Sequence, residues 1–253
     1  TQTMLLYKTH PSATASVPAR AEENNAVLWQ DDFSENTIDK YTVTGPDNGK
    51  FGDWKVVDGK LQVTGTQAAS NWWTTSILLG NVSYGDFVME FDADVSTGYG
   101  VFFRGTDDGK TAGSGYNKWF GDTYMLMHRN PKDGKNGEYM ALYNFNGSET
   151  LIKSFGAPGT MGAMGEVHWT LTVRGSSIIV TVTDRAVAAH SYTYSIEDIT
   201  YTAGSIGFYN TTRSGVTSLK IDNLTVTPLS SLYENDFSDE KTVADFFTAG
   251  PDA

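Results

Sequence analysis

The 253 residues contain no cysteine. That excludes disulfides, thiolate metal sites and cysteine nucleophiles together. Basic residues are scarce: 18 Lys and Arg stand against 30 Asp and Glu, a formal charge of −12. Nucleic acids and anionic membrane surfaces recruit an excess of Lys and Arg, so neither is an expected partner. No stretch approaches the 18 or so continuous apolar residues of a membrane-crossing helix. The four histidines are scattered without zinc-site spacing, and no Ser-His-Asp motif can be assembled. The opening TQTMLLYKTHPS has an apolar run, Met4–Leu6, too short for a signal peptide. The chain does not begin with Met, and the expectation is a piece of a longer protein. Apolar residues make up 39%, which is enough for a packed core, so wholesale disorder is excluded.

The end of the chain repeats its beginning. LWQDDFSENTIDKYTVTGPDNG starts at Leu28 and LYENDFSDEKTVADFFTAGPDA starts at Leu232. Leu28/Leu232, Asp32/Asp236, Phe33/Phe237, Ser34/Ser238, Gly45/Gly250, Pro46/Pro251 and Asp47/Asp252 match, with one residue inserted. The offset, 232 minus 28 or 204 residues, is the size of a domain and too long for a solenoid repeat. Three parts are expected. Residues 1–27 form the end of a preceding domain plus a linker, the linker being the Pro-, Ala-, Ser- and Glu-rich 11–27. Residues 28–229 form one complete module. Residues 230–253 form the start of a second, truncated copy.

Within the module almost nothing has helical periodicity. Short β-rich runs recur between Gly, Asn and Asp turns, the pattern of an all-β, two-sheet antiparallel sandwich. Strands are predicted at residues 54–57, 61–64, 74–79, 87–95, 100–105, 123–129, 139–145, 150–155, 167–174, 177–183, 205–209 and 218–227. Asp58-Gly59, Asn146-Gly147 and Gly175-Ser176 are hairpin signals. Alternation in DFVMEFDADV turns Phe87, Met89, Phe91, Ala93 and Val95 to one side and Val88, Glu90, Asp92 and Asp94 to the other. In VHWTLTVR, Val167, Trp169, Leu171 and Val173 are expected in the core with His168 outside. Phe102 and Arg104 share a face of YGVFFRG, and Tyr124, Leu126 and His128 share one on the next strand. A sheet face carrying acids, an Arg, a His and aromatics is the expected binding surface.

The order DDF, GDWKVVDGKLQV, YGDFVMEFDADV, GYGVFFRG, VHWTLTVRGSSIIVTV, GSIGFYN, LKIDNLTV resembles the concanavalin A-like lectin/glucanase superfamily. More narrowly it is similar to laminin-G-like modules attached to bacterial glycoside hydrolases, including family 66 carbohydrate-binding modules, which bind fructans, and to 3-keto-disaccharide hydrolase domains. The resemblance implies a jelly-roll sandwich of the concanavalin A type. The superfamily's glucanases carry a catalytic ExDxE or ExDxxE on a strand like Glu90–Asp94, where retaining hydrolysis needs two carboxylates about 5–5.5 Å apart. Here Asp94, one methylene shorter, stands where the motif has Glu. The same acids read equally as a solvated strand face or as contacts to sugar hydroxyls.

Arg104 is expected on the strand beside Glu90, as a fork of donors suited to vicinal hydroxyls or as a surface ion pair. Trp119, in the Gly-rich KTAGSGYNKWFGD, is a candidate stacking platform for sugar rings. Tyr124 and His128 complete the expected ligand set with Glu90, Asp92, Arg104 and Trp119. In related modules an acidic pair where the first and last strands meet holds a structural Ca²⁺; the matching positions are Asp31, Asp32 and Asp222. The expected function is that of a non-catalytic carbohydrate-binding module of a secreted or surface-bound bacterial glycan-degrading enzyme. Its partners would be a poly- or oligosaccharide and covalently linked neighbouring domains, with no membrane insertion. The alternatives are a glycoside hydrolase of the glucanase type and a structural or adhesive spacer repeat.

Overall fold

Two residues with positive φ, Asp58 (52°) and Gly59 (69°), turn the chain between its third and fourth strands. That is the geometry of a two-residue type I′ turn, whose twist matches the strands it joins. Similar hairpins recur along the chain. The computed structural model describes residues 28–44, 51–66, 73–80, 82–95, 98–106, 111–112, 119–120, 122–128, 138–146, 149–156, 166–212 and 215–229. The expected linker at 1–27 and the repeated segment at 230–253 lie outside the described residues. Chain order is β1 (Trp29–Asp31), a 3-10 turn (Ile38–Lys40), β2 (Tyr41–Thr44), β3 (Gly52–Val57), β4 (Lys60–Gly65), β5 (Trp73–Leu79), β6 (Phe87–Val95), β7 (Tyr99–Gly105), β8 (Thr111–Ala112), β9 (Trp119–Phe120), β10 (Thr123–His128), β11 (Glu138–Phe145), β12 (Glu149–Gly156), β13 (Glu166–Arg174), β14 (Ser177–Asp184), β15 (Ser191–Glu197), β16 (Ser205–Thr212) and β17 (Thr217–Pro228).

Two antiparallel sheets result. One has eight strands, ordered β15-β14-β13-β6-β17-β4-β3, with β1 also paired to β17; the other has seven, ordered β12-β11-β10-β7-β16-β5-β2. The predicted strands are all present, and no α-helix occurs among the described residues. The predictions miss β1, β2 and β15, which are short or at an edge, and the two-residue β8 and β9. β15 does alternate, with Tyr192, Tyr194 and Ile196 between Ser, Thr and Glu residues, but only Ile196 is buried on this edge strand.

The apolar sides of the sheets face each other. Phe87, Met89, Phe91 and Ala93 of β6 and Val167, Trp169, Leu171 and Val173 of β13 are all buried in this shared core, as alternation predicts. Phe91 of the eight-stranded sheet stacks on Trp169 at 5.3 Å and meets Phe208 of the seven-stranded sheet edge-on at 5.0 Å. Burial of each such ring contributes about 1.5–3 kcal/mol. The polar atoms of the core tryptophans are satisfied across the same gap. Trp169 Nε1 donates to the Tyr99 hydroxyl (2.7 Å) and Trp54 Nε1 to Thr75 Oγ1 (3.0 Å). A second buried cluster, including Phe102, Met125, Tyr143, Phe145 and Tyr209, lies apart from this core on the seven-stranded sheet. Gly100 makes the close approach beneath it possible: a Cβ there would sit 2.0 Å from the Leu126 carbonyl oxygen and 2.5 Å from the Tyr209 ring.

Candidate functional site

The outer face of the eight-stranded sheet carries a connected polar network. Register sets it up. β6 lies between β13 and β17, with His168 and Asp222 both opposite Asp92. Residues opposite one another share a face, so the outward acids of β6 meet the outward residues of both neighbours. Asp92 Oδ1 shares a hydrogen bond with His168 Nδ1 (2.9 Å), and Asp92 Oδ2 accepts from Asn223 Nδ2 (2.8 Å) and faces Arg185 at 3.0 Å. Burial pushes the Asp92 carboxyl up, but the hydrogen bonds from Asn223 and His168 and the charge of Arg185 outweigh it and hold the group below its ordinary value.

Asn223 reaches Asp92 because β17 bulges between Asp222 and Thr225, and Asn223 sits there at φ 50°. A bulge re-aims a side chain in this way. On its other edge the His168 ring presents Nε2 to Glu90 Oε1 at 3.9 Å. The Asp92 side chain is only 13% exposed, while Glu90 (49%), His168 (41%) and Arg185 (42%) reach solvent. Lys60 lies 3.9 Å from both Asp222 and Glu166, and Lys220 lies 4.0 Å from Asp94. The arrangement offers an acceptor, an imidazole and a guanidinium side by side, fixed from behind by Asp92. It does not offer Asp92 as a free nucleophile, because three groups already hold its oxygens.

The other expected ligand residues do not join this face. β6 and β7 belong to opposite sheets, so Arg104 is not beside Glu90. Arg104 is 1% exposed, at φ 51°, where the β7–β16 register shifts. Its Nε donates to the Gly85 carbonyl (2.9 Å). One terminal nitrogen donates to the Gly175 (2.8 Å) and Tyr201 (3.0 Å) carbonyls, and the other pairs with Asp86 Oδ1 (2.9 Å). Alternation through YGVFFRG assumed a regular strand, and the positive φ breaks it. The guanidinium instead crosses one end of the sandwich and ties three connections together. Burial lowers the pKa of the guanidinium, and Asp86 opposes that.

Tyr124 is buried between the sheets, stacked on Phe103 at 5.1 Å, with its hydroxyl bonded to Asp198 and accepting from the Tyr201 N–H. Burial pushes that hydroxyl up to about 12. His128 is buried edge-on to Tyr99 (5.1 Å) and Trp169 (5.6 Å), and burial pushes its pKa down to about 3. The face shared by Tyr124, Leu126 and His128 is thus the core face, a choice that alternation alone leaves open. Trp119 lies on β9, paired through Ala112 of β8; its side chain lies outside the described residues.

A calcium ion wants six to eight oxygens. Asp31 is buried, with Oδ1 accepting from the Phe33 N–H (2.9 Å) and Oδ2 from the Tyr41 hydroxyl (3.0 Å). Asp32 is exposed and caps the Ser34 N–H (3.0 Å) and hydroxyl (2.7 Å). Asp222 accepts from the Asn223 N–H (2.8 Å) and faces Lys60. Among the described residues no three His, Cys, Asp or Glu side chains are grouped to hold a metal. These three aspartates do not fit the ion as one site. What sequence reasoning missed is His168, Arg185 and Asn223 around Glu90 and Asp92, with Lys60 beside Asp222 and Glu166. His168 was legible as outward-facing, but the register of β13 and β17 on β6 was not.

No family model and no curated protein matches the chain. Solved structures do. The carbohydrate-binding module CBM66 from Bacillus subtilis aligns with a TM-score of 0.50 and 15% identity over 74% of this chain and 95% of that one. Lectin II from Ulex europaeus aligns with a TM-score of 0.54 and 14% identity over 80% and 99%. A Bacillus subtilis protein of unknown function with a galectin-like fold aligns with a TM-score of 0.58 and 13% identity over 80% and 96%. At such low identity the likeness shows the fold alone: the chain is a lectin-like, two-sheet antiparallel β-sandwich.

Proposed function

We propose that the chain is a non-catalytic carbohydrate-binding module that holds a secreted bacterial glycan-degrading enzyme on its polysaccharide. The observation that carries this reading is the likeness of the whole sandwich to a carbohydrate-binding module and to lectins. The outer face of the eight-stranded sheet supports it. Glu90, His168 and Arg185 place a carboxylate, an imidazole and a guanidinium within one network, the donors and acceptors that neighbouring sugar hydroxyls require. Asp92 acts in this reading as the positioning residue, and Trp119 as a stacking platform. Single-site affinity is expected to be modest, and linked copies would raise it by effective concentration with no new contact.

Titration calorimetry of the full chain against fructans, β-glucans and galactosides tests the reading. Saturable binding without sugar release is expected, weakened at least tenfold by Glu90→Gln or Arg185→Ala with the fold intact. Absence of binding to every glycan by a folded protein would overturn it. Release of reducing sugar, abolished by Glu90→Gln, would replace it with the glucanase reading.

A further inference from the structure

The opening segment of the module fills a defined slot. β1 lies along the edge of β17 opposite β6, with Trp29 facing Val226, Gln30 facing Thr225 and Asp31 facing Leu224. Beyond it Phe33 is buried, at φ 54°, and stacks on Tyr41 at 6.1 Å; Trp29 meets Tyr41 edge-on at 5.5 Å. The turn between them is held by Asp32, which caps Ser34, and by Asp31, which bonds the Phe33 N–H and the Tyr41 hydroxyl. The slot therefore selects an aromatic, an acceptor, a cap, a Phe and a second aromatic, in that order.

The repeated segment supplies the same series. Tyr233 stands for Trp29, Asn235 for Asp31, Asp236 for Asp32, Phe237 for Phe33, Ser238 for Ser34 and, after the one-residue insertion, Phe246 for Tyr41. Two of the changes are coupled. Tyr41 gives its hydroxyl proton to the buried Asp31 carboxylate. A Phe in its place would leave that charge unpaired, and burying an unpaired charge is costly. The repeat has Asn where the charge was, so the hydroxyl and the charge are lost together.

We propose that residues 232–252 are a rival opening segment, able to displace 28–47 from the edge of β17 in the same chain. The geometry favours the exchange. To put Tyr233 opposite Val226 in the register of Trp29 needs a loop of six residues, Thr227–Leu232, an ordinary connection length. A loop that short gives an effective concentration of about the millimolar range. The module then has two closed forms, one capped by its own beginning and one by the segment that follows it. The second form releases 28–47. The inference is independent of what the module binds.

Cross-linking tests it cleanly because the chain has no cysteine. Facing residues of an antiparallel pair lie about 4.5–5.5 Å apart at Cα, within reach of a disulfide. Thr225→Cys with Gln30→Cys reports the resident form, and Thr225→Cys with Glu234→Cys the exchanged form; Thr225 and Gln30 are not buried. After mild oxidation of the full chain, the 225–234 disulfide is expected within single chains, several-fold above the out-of-register pair Thr225→Cys with Asp239→Cys. Phe237→Ala should lower that yield several-fold, and Phe33→Ala should raise it. If 225–234 forms no better than 225–239 and ignores Phe237→Ala, or links only separate chains, the proposal is overturned. The Phe237→Ala and 239 controls leave the described residues of the resident fold untouched, so the test stands even if Phe33→Ala does not fold.

Discussion

Arg104→Met removes the one guanidinium that joins Gly85, Asp86, Gly175 and Tyr201. Three backbone carbonyls lose a charged donor, and Asp86 loses its counter-ion at 2.9 Å. Breaking one side of a buried pair costs about 3–5 kcal/mol, mostly through the groups left behind. The lower half of that range is expected here. Asp86 is 22% exposed and keeps the Gly175 N–H (3.0 Å), so water and one donor offset part of the loss. Against a total stability of about 5–15 kcal/mol, that is a large fraction. Arg104→Lys restores the charge but not the fork, so it should recover only part of the loss. Urea unfolding followed by tryptophan fluorescence reads both variants, and the midpoint should move without a change in slope. A loss below about 1 kcal/mol would refute the reasoning. So would a fully stable Arg104→Met that had lost only sugar affinity, since the side chain would then belong to the ligand and not to the fold.

Other outcomes follow from the same geometry. His128 has its pKa pushed down to about 3 by burial, whereas the unfolded value is about 6.5. The unfolded chain takes up that proton first, so stability is complete above pH 6.5 and is lost as pH falls towards 3, by about 1 kcal/mol per pH unit. Unfolding measured between pH 7 and about 5, above the window where lowered carboxylates such as Asp92 and Asp198 contribute, should show this slope; an unchanged slope in His128→Leu would rule it out. Gly100→Ala drives a methyl into the Leu126 carbonyl and should cost about 3 kcal/mol or prevent folding; a wild-type Tm would contradict the strand spacing. Chelation with EDTA and readdition of Ca²⁺ should leave Tm unmoved, as Asp31, Asp32 and Asp222 are already engaged elsewhere; a reversible rise on readdition would show otherwise.

Alternation made β6 and β13 legible down to the side chain, because both are regular strands with one wet and one dry face. It failed on β7 for a local reason. Arg104 adopts φ 51°, and nothing in GVFFRG marks that departure. Sheet membership was beyond it altogether. β6 and β7 are consecutive in the chain yet lie in opposite sheets, while β17 comes from the far end of the chain to sit beside β6. The partners of Glu90 and Asp92 therefore come from β13, β17 and the residues after β14, and only long-range register could have supplied them. His128 and Tyr124 illustrate a related limit. A polar tip on an otherwise apolar strand can face water or the core, and a partner distant in sequence, such as Asp198 for Tyr124, helps decide which.

The position of β17 governs how this protein can be made. Twelve residues near the end of the module run between β6 and β4 and also pair with β1. Until Thr217–Pro228 has been synthesised, β3 and β4 have no hydrogen-bonded link within their sheet to β6 and β13, and β1 has no strand partner. Such wide sequence separation between paired strands raises contact order and slows folding. A nascent chain must therefore carry the unpaired edges of β6 and β4 until the last strand arrives, so ribosome pausing or truncation before residue 217 should yield aggregation and not a smaller stable fold.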